Sequence, residues 1–427
     1  DSCLASRSES PADHGLRTEI ERALAEGRRP GRTCRERLQK IRIELALRQA
    51  TDARPNRLPG RRFLRHLVRN LFGRPGFLLS RTCEGLPGTR VLHAIGDLQV
   101  GGAQQLVVDL ARSAPDSAPH SIIARSIQLR YRPGVRSEEI ATNREAIRRA
   151  FDRHRPRLLH LCHYHASPMT RAWYWRICEV ATEVGVPIVQ THCVIGEPLV
   201  HPGVRHLVFC SDWSRTRSGL AEIPDSVIHP GSPLELFSSP RRPLPTRPTV
   251  GMVYRLDGDK IDETASEAIV SVLRHSPAAR MAVVGDGPVR PRIQATTRDA
   301  GFGDRIRWTG SVPFARLPEI HRSFDLEIAP VVADTFGSGS VHAIAAGTPV
   351  VGYDVGALPM ILRNRAALCE ASSPEDLGRL VAAILDDDSL HAETHAAQLA
   401  HARESFGLDR MCRSYHELFA RLARPVE

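Results

Sequence analysis

No apolar run in this chain of 427 residues approaches the roughly 18 residues that a membrane-crossing helix needs. Runs such as HLVFC at 206–210 and VVGY at 350–353 are strand-sized. No basic, apolar, small-residue leader is visible where the chain opens, at Asp1-Ser2-Cys3. The nine cysteines are odd in number, and none stands in a Cys-x-x-Cys pair or a spaced metal set. That argues against a disulfide frame and a zinc site, and for a reducing compartment. Aromatic residues make up only 5%, and no basic groove interleaved with aromatics or zinc finger is present, so nucleic acid is not an expected partner. Lysine is nearly missing: Lys40 and Lys260 stand against 56 arginines, a bias that reads as genomic composition and sets apart any lysine that survives it.

At 42% hydrophobic residues the chain has enough apolar material for two to four domains of roughly 100–200 residues each. Its net charge of +10 is uneven. Residues 1–85 hold 19 basic and 10 acidic side chains, and the remainder 39 and 38, so the positive charge belongs to an N-terminal extension. Leu16, Ile20, Ala23 and Leu24, then Leu38, Ile41 and Leu45, recur at helical spacing there, separated by Arg-Pro-Gly at 29–31. From Val91 short apolar strands alternate with amphipathic helices, the pattern of a parallel, doubly wound sheet. Few clear strands stand between 114 and 157. The Pro-rich stretch SSPRRPLPTRP at 238–248 interrupts the alternation, and a second Rossmann-like series starts at Thr249. The expected architecture is α/β: a basic helical extension over 1–85, Rossmann-like domains over 90–240 and 249–405 facing a cleft, and a final helix over 406–424. Ligands are expected at the carboxyl ends of the strands of both sheets.

Two segments carry candidate chemistry. In GMVYRLDGDK, Arg255 and Lys260 stand on a strand-to-helix loop, where a planar fork and a point charge can grip one diphosphate. The same two cations can equally be solvated loop residues. In ADTFGSGSVHAIAAG, a strand runs through a Gly/Ser turn into a helix. Free N–H groups at Gly337, Ser338 and Gly339 would meet an anion there, with Asp334 facing the same pocket. An ordinary β–α turn with a capping serine is the alternative.

Together and in this order, the two segments resemble the retaining GT-B glycosyltransferases, specifically glycosyltransferase family 4. The likeness extends over about residues 90–424 through VLHAIGDLQVGGAQQLVVDLA, HLVFCSDWSR, VIHPGSPLELF, VVGDGP with RIRWTGSVP, and AAGTPVVGYDVGALP. GLDRMCRSYHELFARLA is similar to that family's last helix, which returns to the first domain. The resemblance implies sugar transfer from a nucleotide-diphosphate donor, with no metal and no other cofactor. It implies that Arg255 and Lys260 hold the diphosphate, that the Gly101–Gly102 turn lets the first domain approach the donor, and that His192 sits beside the transferred sugar. Phe336, Gly337, Ser338 and Gly339 would line the donor. Read without the family, His192 is a satisfied histidine at a strand end.

The family signature of two glutamates separated by seven residues reads here Asp334 and His342. The first keeps a carboxylate one methylene shorter. The second offers the ribose a neutral imidazole, with one donor and one acceptor in place of two acceptor oxygens. If His342 stands at the ribose, His342→Glu is expected to tighten nucleotide binding. A binding or scaffold protein that has lost turnover is the competing reading. The acceptor, whether a glycan, a lipid-linked molecule or a protein, is not legible. Arg61–Leu79 place Phe63, Leu64, Leu67, Val68, Leu71 and Phe72 on one helical face amid arginines. Such a face suits either an anionic membrane or the first domain. A cytoplasmic location, peripheral at the inner membrane face, is the matching expectation. Removing residues 1–85 is expected to leave a folded core that still binds nucleotide.

Overall fold

The computed structural model describes residues 88–99, 101–128, 133–163, 167–218 and 222–423, with Arg35, Glu36 and Gln39. The face at 61–79 lies outside the described residues. The first domain runs β1 (Val91–Leu98), α1 (Gly102–Arg112), β2 (Ser121–Ile127), β3 (Ser137–Glu139), α2 (Arg144–His154), β4 (Leu158–His163), α3 (Pro168–Glu183), β5 (Ile188–His192), β6 (Val204–Phe209), α4 (Asp212–Ser218) and β7 (Asp225–Val227). Its strands form one parallel sheet in the order β3-β2-β1-β4-β5-β6-β7. β2 and β3 fill the region where few strands were read. Ile122, Ile123 and Ala124 of β2 are buried, but β3 is Ser-Glu-Glu, a short polar edge strand with no apolar period to betray it.

α5 (Leu234–Phe237) precedes residues 238–248, which hold neither helix nor strand. The second domain follows with β8 (Thr249–Val253), α6 (Ala265–His275), β9 (Arg280–Val284), α7 (Arg290–Asp299), β10 (Ile306–Gly310), α8 (Leu317–Arg322), β11 (Leu326–Ala329), α9 (Ser338–Ala345), β12 (Val350–Tyr353), α10 (Leu358–Leu362), β13 (Leu368–Cys369), α11 (Pro374–Leu385) and α12 (Asp388–Ser405). Its sheet is also parallel, in the order β10-β9-β8-β11-β12-β13. Helix starts follow local chemistry. Ser167 caps α3 by accepting from Thr170 N at 3.3 Å, with Pro168 in the first turn, and Asn143 caps α2 by accepting from Ala146 N at 2.8 Å.

α13 (Leu408–Leu422) returns to the first domain, where Met411, Tyr415 and Phe419 join Leu106, Leu110 and Val208 in one buried cluster. The two chain crossings between domains pair with each other: Ser232 N donates to Phe406 O at 2.8 Å, and Leu408 N to Ser232 O at 3.1 Å. A Cβ at Gly231 would lie 2.7 Å from Leu408 Cα, so only glycine permits this approach.

Beneath α13 runs a buried polar chain whose direction can be derived. Thr89 O can only accept, so His120 Nε2, at 3.0 Å, carries the proton. A neutral His120 then accepts at Nδ1 from His93 Nε2 at 2.9 Å, and His93 accepts at Nδ1 from His160 Nδ1 at 2.8 Å. His160 Nε2 accepts from Thr191 Oγ1 at 2.8 Å, and Thr191 from the Tyr415 hydroxyl at 2.9 Å. Every donor meets one acceptor only while all three imidazoles are uncharged. Burial pushes His120 and His160 down to about 3 and lowers His93 as well.

The extension touches the first domain. Gln39, itself buried, donates to Pro198 O at 3.0 Å and accepts from Val200 N at 2.9 Å, while Arg35 pairs with Glu222 at 2.6 Å. Gln190, with its carboxamide oriented to match, pairs with both main-chain groups of Leu199 at 3.0 Å. Removing residues 1–85 therefore takes away both hydrogen bonds at 198–200. The truncated chain is expected to lose about 1–3 kcal/mol of stability, the net contribution of two such bonds. A urea midpoint equal to that of the full chain would show that Gln39 contributes nothing.

Candidate functional site

In each sheet the strand order reverses beside its first strand, between β1 and β4 and between β8 and β11. Chain leaving the carboxyl ends of these strands diverges and opens a crevice. The first sheet presents Gly101 and Gly102 there, and the second presents Arg255, Lys260 and Asp334. Within the second domain the fold brings Lys260 and Asp334 into contact, 74 residues apart in sequence.

Asp334 is the buried centre of this group. Its Oδ1 accepts from Lys260 Nζ at 2.8 Å and from Phe336 N at 3.2 Å, while Oδ2 takes no hydrogen bond from any described residue. The main chain of its loop is fixed on both sides: Val332 N donates to Lys260 O at 2.9 Å, and Ala357 N to Asp334 O at 3.0 Å. Gly356, at φ 64°, would carry a Cβ 2.5 Å from Asp334 O, so the close packing of these two loops depends on glycine. Gly337 precedes α9 at φ 92°, also left-handed, and sets the start of the helix beside Asp334, whose Oδ2 lies 3.5 Å from where a Gly337 Cβ would stand. Ser338 and Gly339 form its first turn. Tyr254 stands behind, its phenol pushed up by burial and then by the Asp334 charge.

Arg255 is exposed and spreads its guanidinium over Asp257 at 3.1 Å and Asp259 at 2.6 Å. Exposed pairs of this kind are worth about 0–1 kcal/mol, so a multiply charged anion can compete for the fork. Gly102 has open space where a Cβ would stand, and a Cβ at Gly101 would press on the end of the Gln104 side chain. His192, at the end of β5, is fully buried. Its Nε2 donates to Gly196 O at 3.0 Å and its Nδ1 lies 3.2 Å from His163 Nδ1, and burial pushes the ring down to about 4. Both nitrogens are thus engaged within the first domain.

His342 lies on α9 with its ring flat on Phe237, centroids 4.2 Å apart at 3°, and edge-on to Phe314 at 5.6 Å. Burial and His321 push it down to about 3, and its nitrogens take no hydrogen bond among the described residues. His342→Ala is expected, by loss of the stack, to lower the melting temperature and, if His342 stands at the ribose, to weaken nucleoside-diphosphate binding. Unchanged affinity for every nucleotide that binds the parent would remove His342 from the ribose.

Between the domains a cleft of about 500 Å³ is lined by Ile195, Trp213 and Arg217 of the first and by Val332, Ala333, Asp354, Val355, Gly356 and Pro359 of the second. The Arg217 guanidinium stands 5.3 Å from the centre of the Trp213 ring. None of these was singled out from sequence. The available signal was position, since each follows the carboxyl end of β5, β6, β11 or β12.

Residues 237–401 match the family model described as glycosyl transferases group 1. The chain is similar to a 2-deoxystreptamine glucosyltransferase of Streptomyces kanamyceticus, at 32% identity over 142 residues, which is 33% of this chain and 37% of that protein. It is also similar to a D-inositol 3-phosphate glycosyltransferase of Segniliparus rotundus, at 29% over 190 residues, 41% of this chain and 42% of that protein. It thus spans less than half the length of these curated relatives. Among solved structures, Anabaena Alr3699/HepE in complex with UDP and glucose superimposes with a TM-score of 0.66 at 16% identity, over 78% of this chain and all of that one. A glycosyltransferase from Rickettsia africae does so with a TM-score of 0.67 at 14% identity, over 79% of this chain and all of that one. The second domain therefore carries a glycosyl transferases group 1 match, within a chain of two parallel-sheet Rossmann-like domains arranged as in the GT-B fold.

Proposed function

We propose that the protein is a retaining glycosyltransferase that moves a sugar from a nucleotide-diphosphate donor to an acceptor hydroxyl. The observation that carries this reading is the convergence of Lys260, Asp334 and the α9 N-terminus at the second sheet's switch point, inside the segment matched by the group 1 family. Arg255 and Lys260 would take up charge as the diphosphate leaves, aided by the helix N-terminus. The free Oδ2 of Asp334 would accept from a hydroxyl of the donor sugar. The acceptor hydroxyl would attack from the face that the diphosphate vacates and pass its proton to a phosphate oxygen, a scheme that asks for no side-chain base.

UDP is the first donor nucleotide to test, because the Anabaena protein's structures hold UDP and UDP-glucose. The relatives' names place cyclitols first in the acceptor panel. A melting-temperature screen against UDP-, GDP-, ADP- and TDP-sugars is expected to give a rise with one nucleotide, since binding to the folded state alone stabilises by mass action. No rise with any of them would count against the reading. A second reading, a nucleotide-binding protein without turnover, draws on His342 in place of a carboxylate and on the shorter Asp334. It predicts binding with neither donor hydrolysis nor transfer. Among the described residues no helix is long and apolar enough to cross a membrane. Peripheral attachment at the inner membrane face through residues 61–79 belongs to this proposal, and sedimentation with anionic vesicles tests it.

A further inference from the structure

Ser211, just past β6, is fully buried, and its one hydroxyl works in two directions. As acceptor it takes the Ser214 N–H at 3.2 Å, while Ser214 Oγ accepts from Ser211 N at 3.2 Å, a reciprocal cap on α4. As donor it gives its proton to the main-chain carbonyl of Thr335 in the second domain at 2.7 Å. The directions are fixed, because a hydroxyl has one proton and a carbonyl oxygen only accepts. Both arms end at the cleft. α4 carries Trp213 and Arg217, which line it, and Thr335 directly follows Asp334. The other hydrogen bond between this loop and the first domain, among the described residues, is the longer one from Thr335 Oγ1 to Cys193 O at 3.5 Å.

We propose that Ser211 is a positioning residue. Through one hydroxyl it locks the first-domain wall of the cleft to the Asp334 loop, so that the donor-side carboxylate is held in place by closure of this seam. The inference rests on the reading of the cleft as a donor site. Its physical basis is that Ser211→Ala leaves two buried groups, Thr335 O and Ser214 N–H, without partners, one on each side of the domain boundary.

The test uses the full chain, with UDP as the probe and two readouts: amide hydrogen exchange over residues 212–218 and 333–337, and UDP affinity by calorimetry. Ser211→Ala is expected to speed exchange in both segments and to weaken UDP about tenfold, the scale of one lost buried hydrogen bond. Ser211→Thr, which keeps the hydroxyl, is expected to restore both. Thr335→Ala keeps the accepting carbonyl and is expected to stay within about twofold of the parent. A residue that only caps its helix would loosen 212–218 while leaving 333–337 and UDP affinity unchanged, and that outcome overturns the proposal. If the parent binds no nucleoside diphosphate, the donor reading fails separately, and exchange at 333–337 still decides the coupling. Should Ser211→Ala not fold, Ser211→Cys, of similar size but a weaker donor, takes its place.

Discussion

Arg255→Ala is expected to lower the proposed transfer by two to three orders of magnitude while leaving stability almost unchanged. One oriented donor lost from a developing oxyanion costs on the order of 3 kcal/mol of transition-state stabilisation. The two ion pairs that Arg255 gives up are exposed and contribute little. Lys260→Ala is expected to cut transfer at least as far, but it also unfolds more easily. Among the described residues Lys260 is the only cation that bonds Asp334, and Asp334 is 3% exposed, so its carboxylate would be left buried and uncompensated. The double variant Lys260→Ala with Asp334→Asn removes that charge and should recover stability without recovering activity. Single-turnover rates and urea midpoints on the four proteins separate the two effects. Parent-like rates in both single variants would dismiss the diphosphate assignment.

Acidification is expected to unfold the protein well before its carboxylates are all protonated. Free imidazole titrates near 6.5, whereas burial holds His120 and His160 at about 3 in the fold. With the folded values depressed, the unfolded chain binds more protons below pH 6.5. The stabilisation is therefore fully present above that pH and is lost as pH falls toward 3. Each group contributes about 1.4 kcal/mol per pH unit in this window, so the pair forfeits roughly 5 kcal/mol by about pH 4.5. His192, at about 4, and His342, at about 3, act in the same direction. Asp109 opposes them: burial pushes it up to about 7, so the folded state gains from its protonation as pH falls from there toward 4. No carboxylate is among the groups that shift His93, His120 or His160; burial and neighbouring imidazoles, including His416, lower them, and only the hydrogen bond to Thr89 O works the other way, on His120. Urea midpoints at pH 7 and pH 5 check this. Equal midpoints would mean that the imidazoles are not held neutral.

The alternation of apolar strands with amphipathic helices, broken by the prolines at 238–248, was enough to read two doubly wound units. In a parallel sheet each strand is buried on both faces and must be apolar along its length, and that requirement is local. β3 escaped because a three-residue polar edge strand is defined by its neighbour and not by its own composition. The loop chemistry around Arg255, Lys260 and Asp334 was legible for a similar reason, since strand-to-helix turns advertise themselves by glycine and charge. Sequence could not say that Lys260 would bond Asp334, 74 residues away, or that His342 would lie flat on Phe237. His160, within LLHLCHYH at 158–165, carries no motif in sequence, although it is the middle of a chain that ties β1, β4 and β5 to α13. Such pairings depend on which strand lies beside which and on where the last helix lands. Those are decided by burial of the whole apolar surface at once, and only the folded chain expresses them.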